Sequence, residues 1–268
     1  MVTVTFIRHG QSEDNVHDIW AGWKDAPLSA LGRKQAQALG RSFASTTITR
    51  IYTSDLLRAH ATAKAVHDHH AEPKPPFTAS KLLREQHFGV AEGKEWAISI
   101  PEGTTREELQ KKGIYPVYWG RDEAFDGGES LDDLFRRSEE ALKRFVFPYL
   151  DTDEHIAIAS HGLCISELMS VLVKLDPKAD QSVSYRGLLN TAWTRVQLKR
   201  RDGGDSNNGT QPSLEISVTH VNHAKHLANL DGFTKDEDES KIRAFFGGAG
   251  EAGSITNADT EASPVCDK

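Results

Sequence analysis

Cysteine is nearly absent from this chain: Cys164 and Cys266 are the only two. Two thiols, one inside an apolar helical run and one near the end of a polar stretch, make no disulfide framework. Long apolar runs are missing too. None approaches the ~20 residues that a bilayer span needs, and the first residues lack a basic-then-apolar leader. Cys266 stands one place too late for a prenylation box. Positive charge is in deficit, with 32 Lys and Arg against 39 Asp and Glu for a net charge of −7. Nucleic-acid binding through bulk charge is therefore not expected, although a local basic pocket is compatible with that total. These absences together predict a cytoplasmic protein with neither a membrane nor a nucleic-acid partner. The sequon Asn208-Gly209-Thr210 is then incidental, and nothing in the composition fixes an oligomeric state.

What is present begins with the first strand. Residues 2–7 form an apolar, strand-like run that stops at Arg8-His9-Gly10, followed by Gln11-Ser12 and Asn15. A cation, an imidazole and a glycine at the end of a buried strand are the parts phosphoryl chemistry requires. The glycine lets an anion approach the backbone, the guanidinium grips two of its oxygens, and the following amides donate to it. Alone, the triplet also reads as a polar turn. Three more places supply context. Residues 48–54 lead into Asp55-Leu56-Leu57-Arg58-Ala59, which places an arginine in the first turn of a helix. Residues 82–89 set Glu85 between an apolar run and a glycine. The short run 155–160 ends at His161-Gly162, and a helix follows. Two strand-end His-Gly pairs, a helix-start arginine and a turn carboxylate make one consistent anion site.

With these residues the sequence resembles the histidine phosphatase superfamily, which contains the cofactor-dependent phosphoglycerate mutases and the fructose-2,6-bisphosphatases. The likeness runs from Val4 to about Leu227. It includes Arg8-His9-Gly10-Gln11-Ser12 with Asn15, Ala21-Gly22-Trp23, residues 27–32, 53–59, Leu83-Arg84-Glu85 through Glu92-Gly93-Lys94, Gly127-Gly128-Glu129-Ser130, Ser160-His161-Gly162 and Asn190-Thr191. The resemblance implies that His9 is the phosphate-accepting nucleophile and Glu85 the proton donor. Arg8, Arg58 and His161 would hold the phosphoryl group, with Gly10, Ser12, Asn15, Gly22, Gly162 and Leu163 completing the phosphate and substrate contacts. No cofactor and no metal are called for.

The mutase pattern carries a tyrosine three residues after the acidic residue and a lysine further on. Here those positions are Phe88 and Trp96, so the likeness leans to the phosphatase branch, with a sugar phosphate or bisphosphate favoured as the small phosphorylated substrate. Gly22 and Trp119-Gly120-Arg121 keep a mutase reading open. A catalytically silent binding module is the third reading, and the presence of Arg8, His9, Arg58, Glu85 and His161 together argues against it.

Apolar periodicity alternates strand and helix, which predicts a three-layer α/β fold with a mainly parallel central sheet flanked by helices; the likeness implies a phosphoglycerate mutase-like version of it. Ser29 is expected to cap a helix through Phe43, Asp55 to cap one over 56–68, and Ser130 with Asp133 to form a capping box for one reaching about Phe147. Another helix is expected over 163–175, and strands over 191–198 and 214–220, joined by a polar loop. Residues 1–232 read as one domain carrying an inserted, partly helical cap at 95–129, a length typical of lids and binding loops. Residues 233–268, with 4 basic and 8 acidic side chains, read as a disordered acidic tail. His67, His69 and His70 suit a helix C-terminus better than a metal site. His87 is open between pocket and structural roles, His220, His223 and His226 lack the partners of a zinc site, and Cys164 reads as a small core residue.

Overall fold

The computed structural model describes residues 1–17, 19–183, 185–201 and 212–234. In chain order the regular elements are β1 (Val2–Arg8), α1 (Ala30–Phe43), β2 (Arg50–Ser54), α2 (Leu57–His69), β3 (Phe77–Ser80), β4 (Glu95–Ala97), α3 (Arg106–Lys111), β5 (Ile114–Pro116), α4 (Leu131–Phe145), β6 (His155–Ser160), α5 (Gly162–Leu175), β7 (Trp193–Arg200) and β8 (Leu214–His223). Six strands form the main sheet in the order β3-β2-β6-β1-β7-β8. The first four are mutually parallel, and β7 and β8 are added antiparallel. The mainly parallel α/β fold expected from the periodicity is the fold observed.

The layers follow from the two-residue period of the strands. Val2, Val4 and Phe6 of β1, with Ile156 and Ile158 of β6, join Leu142, Leu168 and Leu172 in the larger core under α4 and α5. The alternate residues Ile7, Ala157 and Ala159 meet Leu39, Phe43, Ala63 and Val66 of α1 and α2 on the other face. Both faces of the central strands are thus covered, as parallel sheets require.

Helix starts explain most of the rest. Ser29 accepts from Gly32 N–H at the head of α1, and Ser130 with Asp133 forms a reciprocal capping box on α4, both as expected. Asp55 departs from expectation. It does not cap α2; both its oxygens take a bidentate grip from Arg84 at 2.7 Å, and Leu57 N–H donates instead to Asp25. A nearby guanidinium outcompetes one backbone amide for a carboxylate. The 95–129 segment contains α3, started by a Thr105–Glu108 capping box, and a small parallel pair, β4 with β5. Most of the polar loop between β7 and β8 and the tail beyond Thr234 lie outside the described residues.

Candidate active site

The register of two neighbouring parallel strands brings the two histidines together. Arg8 pairs with Ser160 at the ends of β1 and β6, so the next residues, His9 and His161, leave the sheet side by side with ring centroids 4.9 Å apart. A crevice outside the carboxyl ends of parallel strands is where α/β sheets build sites. The turn after His9 is tight because α1 presses on it: a Cβ on Gly10 would lie 2.7 Å from the Gly32 carbonyl oxygen, so close an approach that glycine is required.

His9 is buried, and its Nδ1 lies 2.7 Å from the Gly10 carbonyl oxygen. A carbonyl only accepts, so Nδ1 carries the proton and Nε2 bears the lone pair. Burial, then the positive charges of Arg58 and Arg8, hold the His9 pKa well below its ordinary value despite the opposing carbonyl. The ring is held neutral, with a lone pair on Nε2. The His9 carbonyl is itself fixed by Asn190 Nδ2 and Thr191 N–H at 3.1 and 3.2 Å.

His161 is fully buried, with Nε2 2.9 Å from Ser54 Oγ at the end of β2 and Nδ1 without a partner among the described residues. Burial first, then Arg58 and His9, push its pKa well down. Arg58 is also buried and is aimed by two carbonyls, Nη1 to Lys24 at 3.0 Å and Nη2 to Gly22 at 2.7 Å. Gly22, with φ of +49°, gives the backbone the left-handed turn that presents this carbonyl. Burial lowers the Arg58 pKa, partly offset by Glu85 and Asp25. Arg8 Nη1 donates to the Leu188 carbonyl. Ser12 and Asn15 close a turn on each other through Ser12 N to Asn15 Oδ1 and Asn15 N to Ser12 Oγ.

Glu85 shows how the site is tied to α5. This helix begins at His161 with no side-chain cap, leaving its first N–H groups unsatisfied. The Glu85 carboxylate takes them: Oε2 accepts from Leu163 at 3.2 Å and Oε1 from Cys164 at 3.0 Å and Gln86 at 3.1 Å. Leu163 and Cys164 therefore sit against the carboxylate. Of the residues singled out from the sequence, His9, His161, Arg58, Gly22, Glu85 and Leu163 are linked to one another by these contacts.

Two supporting residues had no role assigned from sequence. Trp23 Nε1 donates to the Glu85 carbonyl at 2.8 Å. Arg137 of α4 reaches the Leu82, Arg84 and Glu85 carbonyls at 3.1, 2.7 and 2.8 Å and forms a bidentate pair with Glu129. The available signal was position: Arg137 lies three residues past Leu134 and four before Ala141, on the stripe that α4 buries. His87 stacks on Trp23, with centroids 4.7 Å apart, and lies 3.6 Å from Glu92. His69 and His70 each turn Nδ1 onto a carbonyl of the last turns of α2, as a helix end favours. His220 and His223 pack on Trp193, and His226 meets Thr191. Cys164 is buried with its thiol pushed up to about 11 by that burial, the state of an inert core residue.

Beside Glu85 an aromatic cleft opens under the 95–129 segment, with Gln86 and Leu163 on its near side. Arg121 anchors this segment by a bidentate pair to the buried Glu167 of α5 at 3.2 and 2.7 Å.

Residues 4–203 match the Histidine phosphatase superfamily (branch 1). A 2,3-bisphosphoglycerate-dependent phosphoglycerate mutase of a Methylobacterium species is 31% identical over 201 residues, 74% of this chain and 90% of that protein. A second protein of that description from Gloeobacter violaceus is 29% identical over 196 residues, 72% of this chain and 85% of its own. Among solved structures, a mycobacterial glucosyl-3-phosphoglycerate phosphatase complexed with VO3 superposes with a TM-score of 0.58 at 25% identity, covering 81% of this chain and 97% of that one.

Proposed function

Because this chain belongs to the histidine phosphatase superfamily and is an enzyme of the histidine phosphatase type, we propose that it hydrolyses small phosphomonoesters through a phosphohistidine on His9. The observation that carries this reading is the Nδ1–Gly10 carbonyl contact in a buried, positively flanked pocket, which leaves a neutral Nε2 lone pair. Nε2 attacks phosphorus as the bond to the ester oxygen breaks, and Glu85 protonates the departing alkoxide. Water then attacks phosphorus as the phosphorus–nitrogen bond breaks, passing one proton to the Glu85 carboxylate and releasing phosphate with neutral His9 restored.

A transferring phosphoryl group spreads charge over three oxygens, so cations fixed in advance stabilise it. Arg8 and Arg58 supply them, and His161 supplies a hydrogen bond; such preorganised contacts are worth about 3 kcal/mol each when removed. Ser12, Asn15 and the Gly162 amide complete the phosphate contacts in this reading, since the Gly10 and Leu163 amides already donate to Thr62 and Glu85. The domain spans residues 1–232, with 95–129 as its cap.

A mutase is the second reading, favoured by the names of the relatives. It differs in one step: the phosphoryl group on His9 passes to a second hydroxyl of a phosphoglycerate instead of to water. Phe88 and Trp96 at the positions of the mutase tyrosine and lysine support the hydrolytic branch.

Quenching without acid after mixing with labelled p-nitrophenyl phosphate should trap a phosphohistidine that is stable to base and lost in acid. His9→Ala should abolish label and turnover, and turnover should persist in excess chelator. A label surviving in His9→Ala would overturn the assignment. Stoichiometric release of inorganic phosphate supports hydrolysis, whereas isomerisation of 3-phosphoglycerate without phosphate release would establish the mutase.

A further inference from the structure

We propose that the aromatic cleft is a leaving-group subsite for an uncharged, apolar body, so that the preferred substrates are phosphomonoesters of flat or alkyl alcohols and not bisphosphates or phosphoglycerates. The proposal rests on the reading of His9 and Glu85 given above. Its first support is position. Gln86 and Leu163 line the cleft, and the backbone N–H groups of these same two residues hold the Glu85 carboxylate at 3.1 and 3.2 Å. An ester whose phosphorus faces His9 and whose bridging oxygen faces Glu85 therefore extends its carbon body into the cleft.

The second support is the chemistry of the wall. Trp20, Phe88, Tyr118, Trp119 and Phe125 line it. Trp20 lies 4.4 Å from Phe88 and 5.3 Å from Phe125, and Tyr118 lies 4.6 Å from Phe125, between ring centroids. Trp20 is pinned further by its Nε1 donating to the Tyr115 carbonyl at 2.9 Å, so the surface is preformed. Trp119 stands at the mouth with 43% of its surface exposed. Large aromatic area left open in a concave wall favours an apolar occupant.

The third support is charge. The cleft's ionic side chains are Glu123 and Arg186, one of each sign. The nearby Arg121 is committed to Glu167 and to Asp132, and Arg186 itself lies 4.0 Å from Glu167. A second phosphate or a carboxylate finds no surplus of cations. Hydroxyl-rich bodies would also leave donors and acceptors unpaired against the rings. In this proposal apolar esters take the place of the sugar phosphate or bisphosphate expected from the sequence.

Non-hydrolysable phosphonates separate this subsite from the catalytic reading. In titration calorimetry, 3-phenylpropylphosphonate should bind on the order of 50-fold more tightly than ethylphosphonate, as burial of one ring predicts. Trp119→Ala should shrink that ratio at least about 5-fold, and Trp119→Phe should recover most of it. The kcat/KM values of the matching phosphate esters should follow the same order. Equal affinity for the two phosphonates, tighter binding of fructose 1,6-bisphosphate than of 3-phenylpropylphosphonate, or an unchanged ratio in Trp119→Ala would each overturn the proposal. Selective binding without turnover of either ester would uphold the subsite and overturn the hydrolytic reading instead.

Discussion

The floor beneath His9 and the cleft beneath residues 95–129 are held by different forces. In the floor, side chains are aimed by the backbone: His9 by the Gly10 carbonyl, Arg58 by Lys24 and Gly22, Glu85 by the amides that open α5. The Gly10 carbonyl directly follows β1 and the amides open α5, while the Gly22 and Lys24 carbonyls come from a turn between β1 and α1, so the aim is set by backbone throughout. In the cleft, rings lean on rings, and the segment is tied to the body through Arg121 and Glu167. Ring packing tolerates changes of shape that a directional hydrogen bond does not. Damage to the floor should therefore cost rate, and damage to the cleft should cost discrimination between esters.

The largest break in that contrast comes from Glu85, the proposed acid. Glu85→Gln keeps one oxygen to accept from Cys164 and Gln86, turns an NH2 toward the Leu163 amide, and has no acidic proton to give. Phosphorylation of His9 by an alkyl phosphate should slow by about 10² to 10⁴, while p-nitrophenyl phosphate, which expels a stable phenolate, should lose far less. The comparison requires single-turnover bursts, because slowed water attack would blur it at steady state. Equal losses for both esters would remove Glu85 from the acid role.

Arg137 tests whether backbone aim is what matters in the floor. It contacts neither histidine ring but donates to the Leu82, Arg84 and Glu85 carbonyls. Arg137→Met should slow alkyl-ester bursts by about 10- to 100-fold, with a smaller loss for the nitrophenyl ester, and Arg137→Lys should recover part of the difference. A purely structural role would lower melting temperature and slow both esters alike. That dependence on the leaving group is the signature of a misplaced Glu85.

The same contrast explains what the sequence revealed. The floor was legible because strand ends, glycines and helix starts have local signatures: Arg8-His9-Gly10, Arg58 after a strand, and His161-Gly162 all announced themselves within a few residues. The capping boxes at Ser130 and the cap at Ser29 were legible for the same reason. Asp55 was misassigned because its partner, Arg84, is 29 residues away and no local rule weighs the two against a helix amide. Arg137 was missed because it acts across the fold. The cleft was illegible for a related reason: Trp20, Phe88 and Phe125 meet only when three separate segments fold together.

Titration offers a smaller effect, shared between the floor and the opposite end of β6. Burial, and then Arg195, lowers His155 to about 4; burial, and then His223, lowers His226 to about 4. His9 and His161 are lowered as well. These rings stay neutral in the folded state at a pH where the unfolded chain protonates them, so the unfolded state binds more protons below about pH 6.5. Stability is fully present above that pH and falls as pH drops from about 6.5 toward 4. Discounted for partial exposure, the loss at pH 5.5 is on the order of 1 kcal/mol each for His155 and His226. Melting curves across this range should show the decline, and His226→Gln should make it shallower. A flat profile, or one rising toward acid, would show that these rings are not held neutral.

The smallest expected effect concerns the boundary of the machinery. The last short helical turn, Lys225–Leu227, buries Leu227, and every residue given a role in the floor or the cleft precedes it. A chain ending at Gly232 should melt within about 2 °C of the full chain, since every residue given a role in either region is kept. Removal also takes away 8 acidic and 4 basic residues, leaving the remainder at −3 instead of −7. Anionic esters should then associate slightly faster at low ionic strength, by less than about twofold, and the gain should vanish at 0.5 M salt if it is electrostatic. The preference for arylalkyl over ethyl esters should not move. A large fall in melting temperature would assign residues 233–268 to the core, with Phe245 and Phe246 the side chains to examine. A fall in ester discrimination alone would assign them to the cleft, and the division between a rigid floor and a selective cap would then need a third part.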